Sequence, residues 1–238
     1  LRAPEGEFTI GDNSIIWDWK KVTSLQFLEP GEEGKVEFWV KLKEKWDILS
    51  LEGKTEIKNK IILGQLTEEF KYKVNSKLEI SQKGFFYDEV FGNSGPLPPR
   101  VGETTTYTII WQVKNYYNNV KNVKVKASLP PNVRLTGKIF PEREIEKFTF
   151  DSQSREIVWN VGDLKVGSGI LNPPPNIAFQ IALTPTLEQR GQVIEIIKEV
   201  KIIAEDEWTG AILEITAPAI DTTLPDDEII TPEEGIVQ

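Results

Sequence analysis

Apolar and polar residues alternate along several segments of this sequence, and this alternation limits the possible folds more than any other feature. A period of two is typical of strands with one buried face, because successive side chains of a strand point to opposite sides. Strand-favouring Val, Ile, Thr and aromatic residues dominate these segments, and glycine- and proline-containing turns separate them. The segments are 35–42, 104–113, 120–127, 176–183 and, less regularly, 198–204. The sequence therefore predicts an all-β fold, most simply a β-sandwich.

An internal repeat is the second strong feature of the sequence. Two pairs of segments align at a constant offset of 141 residues: 36–42 with 177–183, and 60–62 with 201–203. In addition, Phe8 followed by Trp17 recurs as Phe148 followed by Trp159. The repeat predicts two copies of one domain, with Phe38 and Phe179 at equivalent core positions and both tryptophans buried.

The repeat also predicts how the chain is divided. Residues 76–225 form a complete β-sandwich whose Phe148 motif lies well inside it, whereas the first copy reaches its Phe8 motif almost at once. Residues 1–75 are therefore the C-terminal part of a first sandwich, and 226–238 are an acidic tail. The first domain is either truncated or completed by a strand from a neighbouring chain, and we expect an open strand edge there.

Composition excludes several classes of function. The 238 residues include no Cys, Met or His, which removes thiol nucleophiles, disulfides and histidine-based acid–base or metal chemistry. The net charge of −9 argues against a nucleic-acid partner, and no apolar run reaches the ~18 residues of a membrane span. Because the sequence starts at Leu1 and lacks methionine, we expect a processed chain or a piece of a longer one.

A string of motifs in the second copy resembles a known family. The string is 102–109 with Tyr-Thr-Ile, 113–115 ending in Asn, 120–130 with Asn-Val-Lys-Val and Leu-Pro, 132–133, 157–164 and 222–227. It resembles the conserved repeat of large bacterial and archaeal surface proteins catalogued as domain of unknown function 11. The loop at 116–119 lacks the family's glycine, and the insertion at 85–99 is long.

This resemblance implies tandem Ig-like sandwiches on the cell envelope. It implies an extracellular, non-enzymatic module that acts as a structural or adhesive spacer, with neighbouring repeats of the same protein as its partners. A carbohydrate-binding module is the alternative, and its glycan platform would use the loop aromatics Trp46, Tyr116 and Tyr117. The same aromatics can equally cap the open ends of a sandwich.

Two acidic runs provide candidate calcium ligands. Asp206, Glu207, Asp226 and Asp227 could bind calcium, although neither acidic run has the spacing of a calcium loop and solvated acid runs are commoner. No other cofactor is expected.

Lys83 lies in the predicted first strand of the complete domain. It could form an isopeptide bond with Asp221, assisted by Glu103 or Glu214, as in some Ig-like surface modules. An ordinary surface lysine is the simpler interpretation.

Overall fold

The computed structural model describes residues 1–41, 46 and 53–238, which divide into two compact units, 1–46 and 47–238. In the first unit, β1 (Glu7–Thr9) pairs with β2 (Ser14–Ile16) in an antiparallel hairpin. Arg2 and Trp39 form an isolated bridge, and Trp17 donates a hydrogen bond to the Pro4 carbonyl at 3.0 Å.

The strand predicted at 35–42 does not form. Within residues 35–41 only Trp39 makes a β-bridge, and Leu42 lies outside the described residues. Phe38 packs against Trp17, with ring centroids 6.0 Å apart, and belongs to no strand. The alternation at 35–42 has no long partner strand among the described residues of this unit, so the predicted equivalence of Phe38 and Phe179 is wrong.

The second unit begins with a hairpin of β3 (Glu56–Leu63) and β4 (Leu66–Lys73). The remaining strands are β5 (Leu78–Phe85), β6 (Thr105–Asn115), β7 (Val120–Ser128), β8 (Val133–Phe140), β9 (Phe148–Phe150), β10 (Glu156–Leu164), β11 (Asn176–Leu183), β12 (Glu195–Ile197), β13 (Val200–Asp206), β14 (Ile212–Ala217) and β15 (Ile220–Asp221). Short 3-10 helices cover Thr23–Leu25, Glu142–Lys147, Leu187–Gln189 and Pro232–Gly235. None of the helices in the described part of the chain has the length and apolar character to span a membrane.

Two antiparallel sheets face each other and confirm the predicted all-β sandwich. One has the order β5-β6-β11-β8 and the other the order β14-β13-β7-β10-β9. Between them lie the fully buried rings of Trp111, Trp159 and Phe179; Trp111 meets Phe179 edge-on at 4.9 Å. Trp159 is therefore a core residue as predicted, whereas Trp17 is only half-buried. The tandem repetition of such sandwiches stays a prediction.

The last thirteen residues, predicted as an acidic tail, pack against the sandwich. Ile230 and Val237 are buried, and Val237 exchanges backbone hydrogen bonds with Gly191 and Gln192. Asp227 accepts hydrogen bonds at 2.9 Å from the backbone N–H groups of Phe86 and Tyr87, the two residues that follow β5. The apolar residues within the acidic run anchor it, which the charge count alone does not indicate.

Candidate functional site

A buried polar cluster connects the β3–β4 hairpin to the sandwich, and we call it the polar joint. Its side chains come from both flanks of the hairpin, from the β6–β7 loop region and from the end of β13. All of them are buried: Thr55, Ser76, Asn115, Asn118 and Asp206. Buried polar groups are costly unless they are hydrogen-bonded, so the joint stabilises one arrangement of hairpin and sandwich.

Asp206 is the charged centre of the polar joint. Its Oδ2 atom accepts hydrogen bonds from the Ser76 N–H at 2.7 Å and from the Asn118 amide at 2.8 Å. Its Oδ1 atom accepts from the backbone N–H groups of Trp208 at 2.8 Å and Thr209 at 2.9 Å. Burial raises the pKa of this carboxyl, but the four hydrogen bonds outweigh it and hold the pKa below its usual value. The group is therefore an ionised structural carboxylate.

Asn118 holds both ends of the hairpin at once. Its side-chain oxygen accepts from the Thr55 N–H at 2.9 Å, immediately before β3, and its amide donates to the Val74 carbonyl at 2.7 Å, immediately after β4. Asn115 supports this arrangement, because its amide donates to the Asn118 carbonyl at 2.7 Å and its oxygen accepts from the Ser76 hydroxyl at 2.7 Å. The hairpin base is thus bonded to the β6–β7 loop on both strands.

Trp208 covers the outer side of the polar joint. Its indole N–H donates to the Thr55 carbonyl at 3.0 Å, and its own carbonyl accepts from Lys73 Nζ at 2.8 Å. The same ammonium lies 4.3 Å from the indole ring, and that of Lys54 lies at 5.7 Å, so two cation–π contacts add to the hydrogen bonds. Side chains from the hairpin and from the sandwich therefore interlock here.

Two of the three aromatic residues of the predicted glycan platform, Tyr116 and Tyr117, are neighbours in the second unit. The rings of Tyr116 and Tyr117 are 5.7 Å apart but tilted by 57°, and Lys77 Nζ lies 4.8 Å over Tyr116. Burial and a hydrogen bond with Glu79 raise the pKa of Tyr116 to about 12. Trp46 is half-buried and belongs to the first unit. The two tyrosines flank the polar joint and their rings are not coplanar, and the glycan platform stays a prediction.

The predicted calcium ligands have other roles in the structure. Asp206 and Asp227 accept hydrogen bonds from backbone N–H groups, so their carboxylate oxygens point towards the protein and not towards solvent. Asp226 lies 3.6 Å from Lys83, and Glu207 is an exposed neighbour of Asp206. Among residues 1–41, 46 and 53–238, no three acidic side chains are grouped in a way that would hold a metal ion.

The predicted isopeptide residues have different neighbours. Lys83 is half-exposed and pairs with Asp226, while Asp221 accepts hydrogen bonds from the backbone and hydroxyl of Thr223. The proposed helpers are also engaged elsewhere, Glu103 with Arg100 at 4.0 Å and Glu214 with Lys201 at 3.3 Å. Lys83 lies where an ordinary surface lysine would lie, and the isopeptide bond with Asp221 stays a prediction.

The polar joint is not among the sites predicted from the sequence, although the sequence contains one signal for it. In β13 the buried positions are Val200, Ile202 and Ala204, and the same alternation makes Asp206 the next inward-facing residue. An acid at an inward position of a strand needs hydrogen-bond donors around it, which distinguishes it from a solvated acid run. No such signal identifies Asn118, because its loop has no periodic pattern.

No family model and no curated protein matches the sequence. Solved structures that match include BcpA, the major pilin subunit of Bacillus cereus, at 11% identity and a TM-score of 0.39. A single-residue variant of BcpA matches at 14% identity and a TM-score of 0.40. Each of these two alignments covers 69% of this chain and 47% of the pilin. The full-length major pilin SpaD from Corynebacterium diphtheriae matches at 9% identity and 0.36, over 61% of this chain and 35% of SpaD. This chain thus spans less than half of each pilin, and similarity at these TM-scores carries no inference about family or function.

Proposed function

We propose that this chain is a non-enzymatic structural module of an exported surface protein, in which it acts as a rigid spacer. The observation that carries the proposal is the polar joint, because it fixes the β3–β4 hairpin to the sandwich through both of its ends. A spacer must transmit direction from one β-unit to the next, and a flexible connection cannot do so.

The connection between β4 and β5 differs from a flexible linker. Flexible linkers are rich in exposed Gly and Ser and behave as random coils. Here only residues 74–77 separate the two strands, and Ser76 among them is buried with both its N–H and its hydroxyl hydrogen-bonded. Val74 is also held at both backbone groups, by Thr55 and Asn118. Bending at this point requires the loss of several buried hydrogen bonds.

The buried acids of the sandwich support a structural role. Asp206 and Asp227 bind backbone N–H groups, and the nearly buried Glu144 accepts the indole N–H of Trp159 at 3.0 Å. Each acid stabilises the fold itself through these bonds. Cell-surface location and neighbouring repeats as partners belong to the same proposal, and they rest on the motif resemblance of residues 102–133.

Distances between spin labels test the rigidity of the joint. The chain lacks cysteine, so Lys60→Cys in β3 and Lys124→Cys in β7, both at exposed positions, give one defined pair of labels. We expect a narrow distance distribution from double electron–electron resonance, and a broad one after Asp206→Ala. Glu207→Ala, an exposed neighbouring acid, is the matched control and leaves the distribution narrow. A broad distribution in the otherwise unaltered chain contradicts the proposal.

A further inference from the structure

The β3–β4 hairpin extends from the sandwich with two strongly different faces. One face carries six apolar side chains around Asn59 and Glu68, and four of the six are more than half exposed: Ile61 51%, Leu63 67%, Leu66 71% and Tyr72 56%. The opposite face carries mainly charges, with four lysines and two glutamates: Glu56, Lys58, Lys60, Glu69, Lys71 and Lys73. Within the described part of the chain, both long edges of this hairpin are unpaired. An isolated two-stranded hairpin is marginal in water, so this element gains from additional strands.

The charge pattern distinguishes the two edges. When a strand pairs antiparallel with its own copy in one sheet, residues on the same face must oppose each other, so the two-fold axis passes through a residue. For the full length of β3 that residue is Asn59 or Lys60. An axis through Asn59 places Lys58 of one copy opposite Lys60 of the other. An axis through Lys60 places the Lys60 side chains of the two copies opposite each other. Like charges directly opposite are destabilising, so β3 is a poor edge for self-pairing.

The β4 edge behaves in the opposite way. Glu69 and Lys71 already lie 3.6 Å apart within each strand. With the axis through Phe70, Glu69 of each copy also opposes Lys71 of the other, which adds two ion pairs between the copies on the charged face. The two Phe70 rings oppose each other on the apolar face, and Glu68 opposes the hydroxyl-bearing Tyr72. No like charges meet in this register, whereas an axis through Glu69 would oppose the two Glu69 side chains.

We propose that β4 is a pairing edge through which two copies of this chain associate, in antiparallel register with Phe70 opposite Phe70. The result is a four-stranded sheet with one continuous apolar face. Stacking of the apolar faces would instead bury Glu68 and Asn59 at their centre, and an ionised carboxylate without a partner is costly to bury. The inference needs only the hairpin and does not depend on the spacer function.

Cysteine cross-linking tests the register in the full chain. Phe70→Cys places two cysteines directly opposite each other at the two-fold axis, within reach of a disulfide. Leu66→Cys is the matched control: it lies on the same face and is more exposed, 71% against 42%, so random collision favours it. In the proposed register the two thiols of the Leu66→Cys dimer are about 27 Å apart, because eight residues of strand separate them. We expect rapid oxidation to a covalent dimer for Phe70→Cys and not for Leu66→Cys.

Charge reversal tests the ion pairs by a measurement that needs no cross-link. Glu69→Lys or Lys71→Glu turns two attractive contacts per dimer into two repulsive ones, and sedimentation velocity should show dimerisation weakened by about tenfold or more. The double variant Glu69→Lys with Lys71→Glu restores the pairing. The fluorescence of the buried tryptophans checks that each variant keeps its sandwich.

Several results would overturn the inference. The first is a chain that stays monomeric at its highest soluble concentration. The second is a Leu66→Cys variant that forms covalent dimers as fast as Phe70→Cys. The third is a double charge reversal that fails to restore the dimerisation lost in the single reversals. A monomer with a narrow spin-label distribution would refute the pairing edge and leave the spacer function standing. A dimer in which the distances within one chain, isolated by dilution with unlabelled chain, are broadly distributed would do the reverse.

Discussion

Replacing Asp206 by alanine tests the energetic importance of the polar joint. The substitution removes a fully buried carboxylate and leaves four N–H donors without their acceptor, those of Ser76, Asn118, Trp208 and Thr209. Each buried donor left unsatisfied costs about 1–3 kcal/mol, and the last two lie near the surface where water replaces the acceptor. We therefore expect the free energy of unfolding to fall by about 3–5 kcal/mol, a large fraction of the stability of a domain.

Guanidinium denaturation followed by tryptophan fluorescence measures this loss. Glu207→Ala is the control, since Glu207 is exposed and surface substitutions usually change stability by about 0.5 kcal/mol or less. The folded-state pKa of Asp206 lies below its ordinary value of 3.8, so its stabilisation is fully present above that value and is lost as pH falls through the folded pKa. The difference in free energy of unfolding between the unaltered chain and Asp206→Ala should therefore narrow as pH is lowered below 3.8. An Asp206→Ala chain as stable as Glu207→Ala would refute the argument.

Three other outcomes follow from the structure. Phe179→Ala should lower the free energy of unfolding by about 3–5 kcal/mol in the same denaturation assay, because its ring is fully buried against Trp111 and Phe148. Phe150→Ala is the control and should lower it much less, because Phe150 is at an exposed edge position. Equal losses of stability for the two variants would contradict the core assignment. Calcium in excess should leave the melting temperature unchanged relative to a chelator, and a rise with calcium would revive the metal hypothesis. On a glycan array the chain should bind no sugar. Binding to a glycan that the Tyr116→Ala substitution abolishes would favour the carbohydrate-binding alternative.

Most of the sandwich could be predicted from the sequence, because period-two alternation reports directly which side of a strand is buried. The segment predicted at 176–183 is β11, with the same bounds, and those at 104–113 and 120–127 correspond to β6 and β7 within two residues. In each case the strand lies between two others and its alternate residues face a common core. Local pattern and tertiary environment agree there.

The pattern fails where no partner strand is present. Residues 35–41 alternate as regularly as β11, yet Trp39 forms only one bridge and Val40 is exposed. Strand propensity reflects packing against neighbours more than a backbone preference, so alternation without a neighbour does not make a strand. The offset of 141 residues therefore predicts similarity of sequence pattern and not of environment at Phe38.

The polar joint could not be predicted as a whole, because its residues come together only in the folded chain. Thr55 and Asn118 are 63 positions apart in the sequence, and Ser76 and Asp206 are 130 apart. The acidic run at 205–207 cannot be distinguished from a solvated one until β13 is known to end with Asp206 facing inwards. Hydrogen-bond networks of this kind depend on topology, which a single sequence specifies only indirectly.

Residual dipolar couplings of backbone amides test the central claim most directly. The claim is that the polar joint makes the β3–β4 hairpin and the sandwich one rigid body. A single alignment tensor should therefore fit the couplings of the hairpin, measured in β3 and β4, together with those of the sandwich, measured in β6, β7 and β11. A separate or strongly reduced tensor for the hairpin would show that it moves independently, and the chain would then not be a rigid spacer.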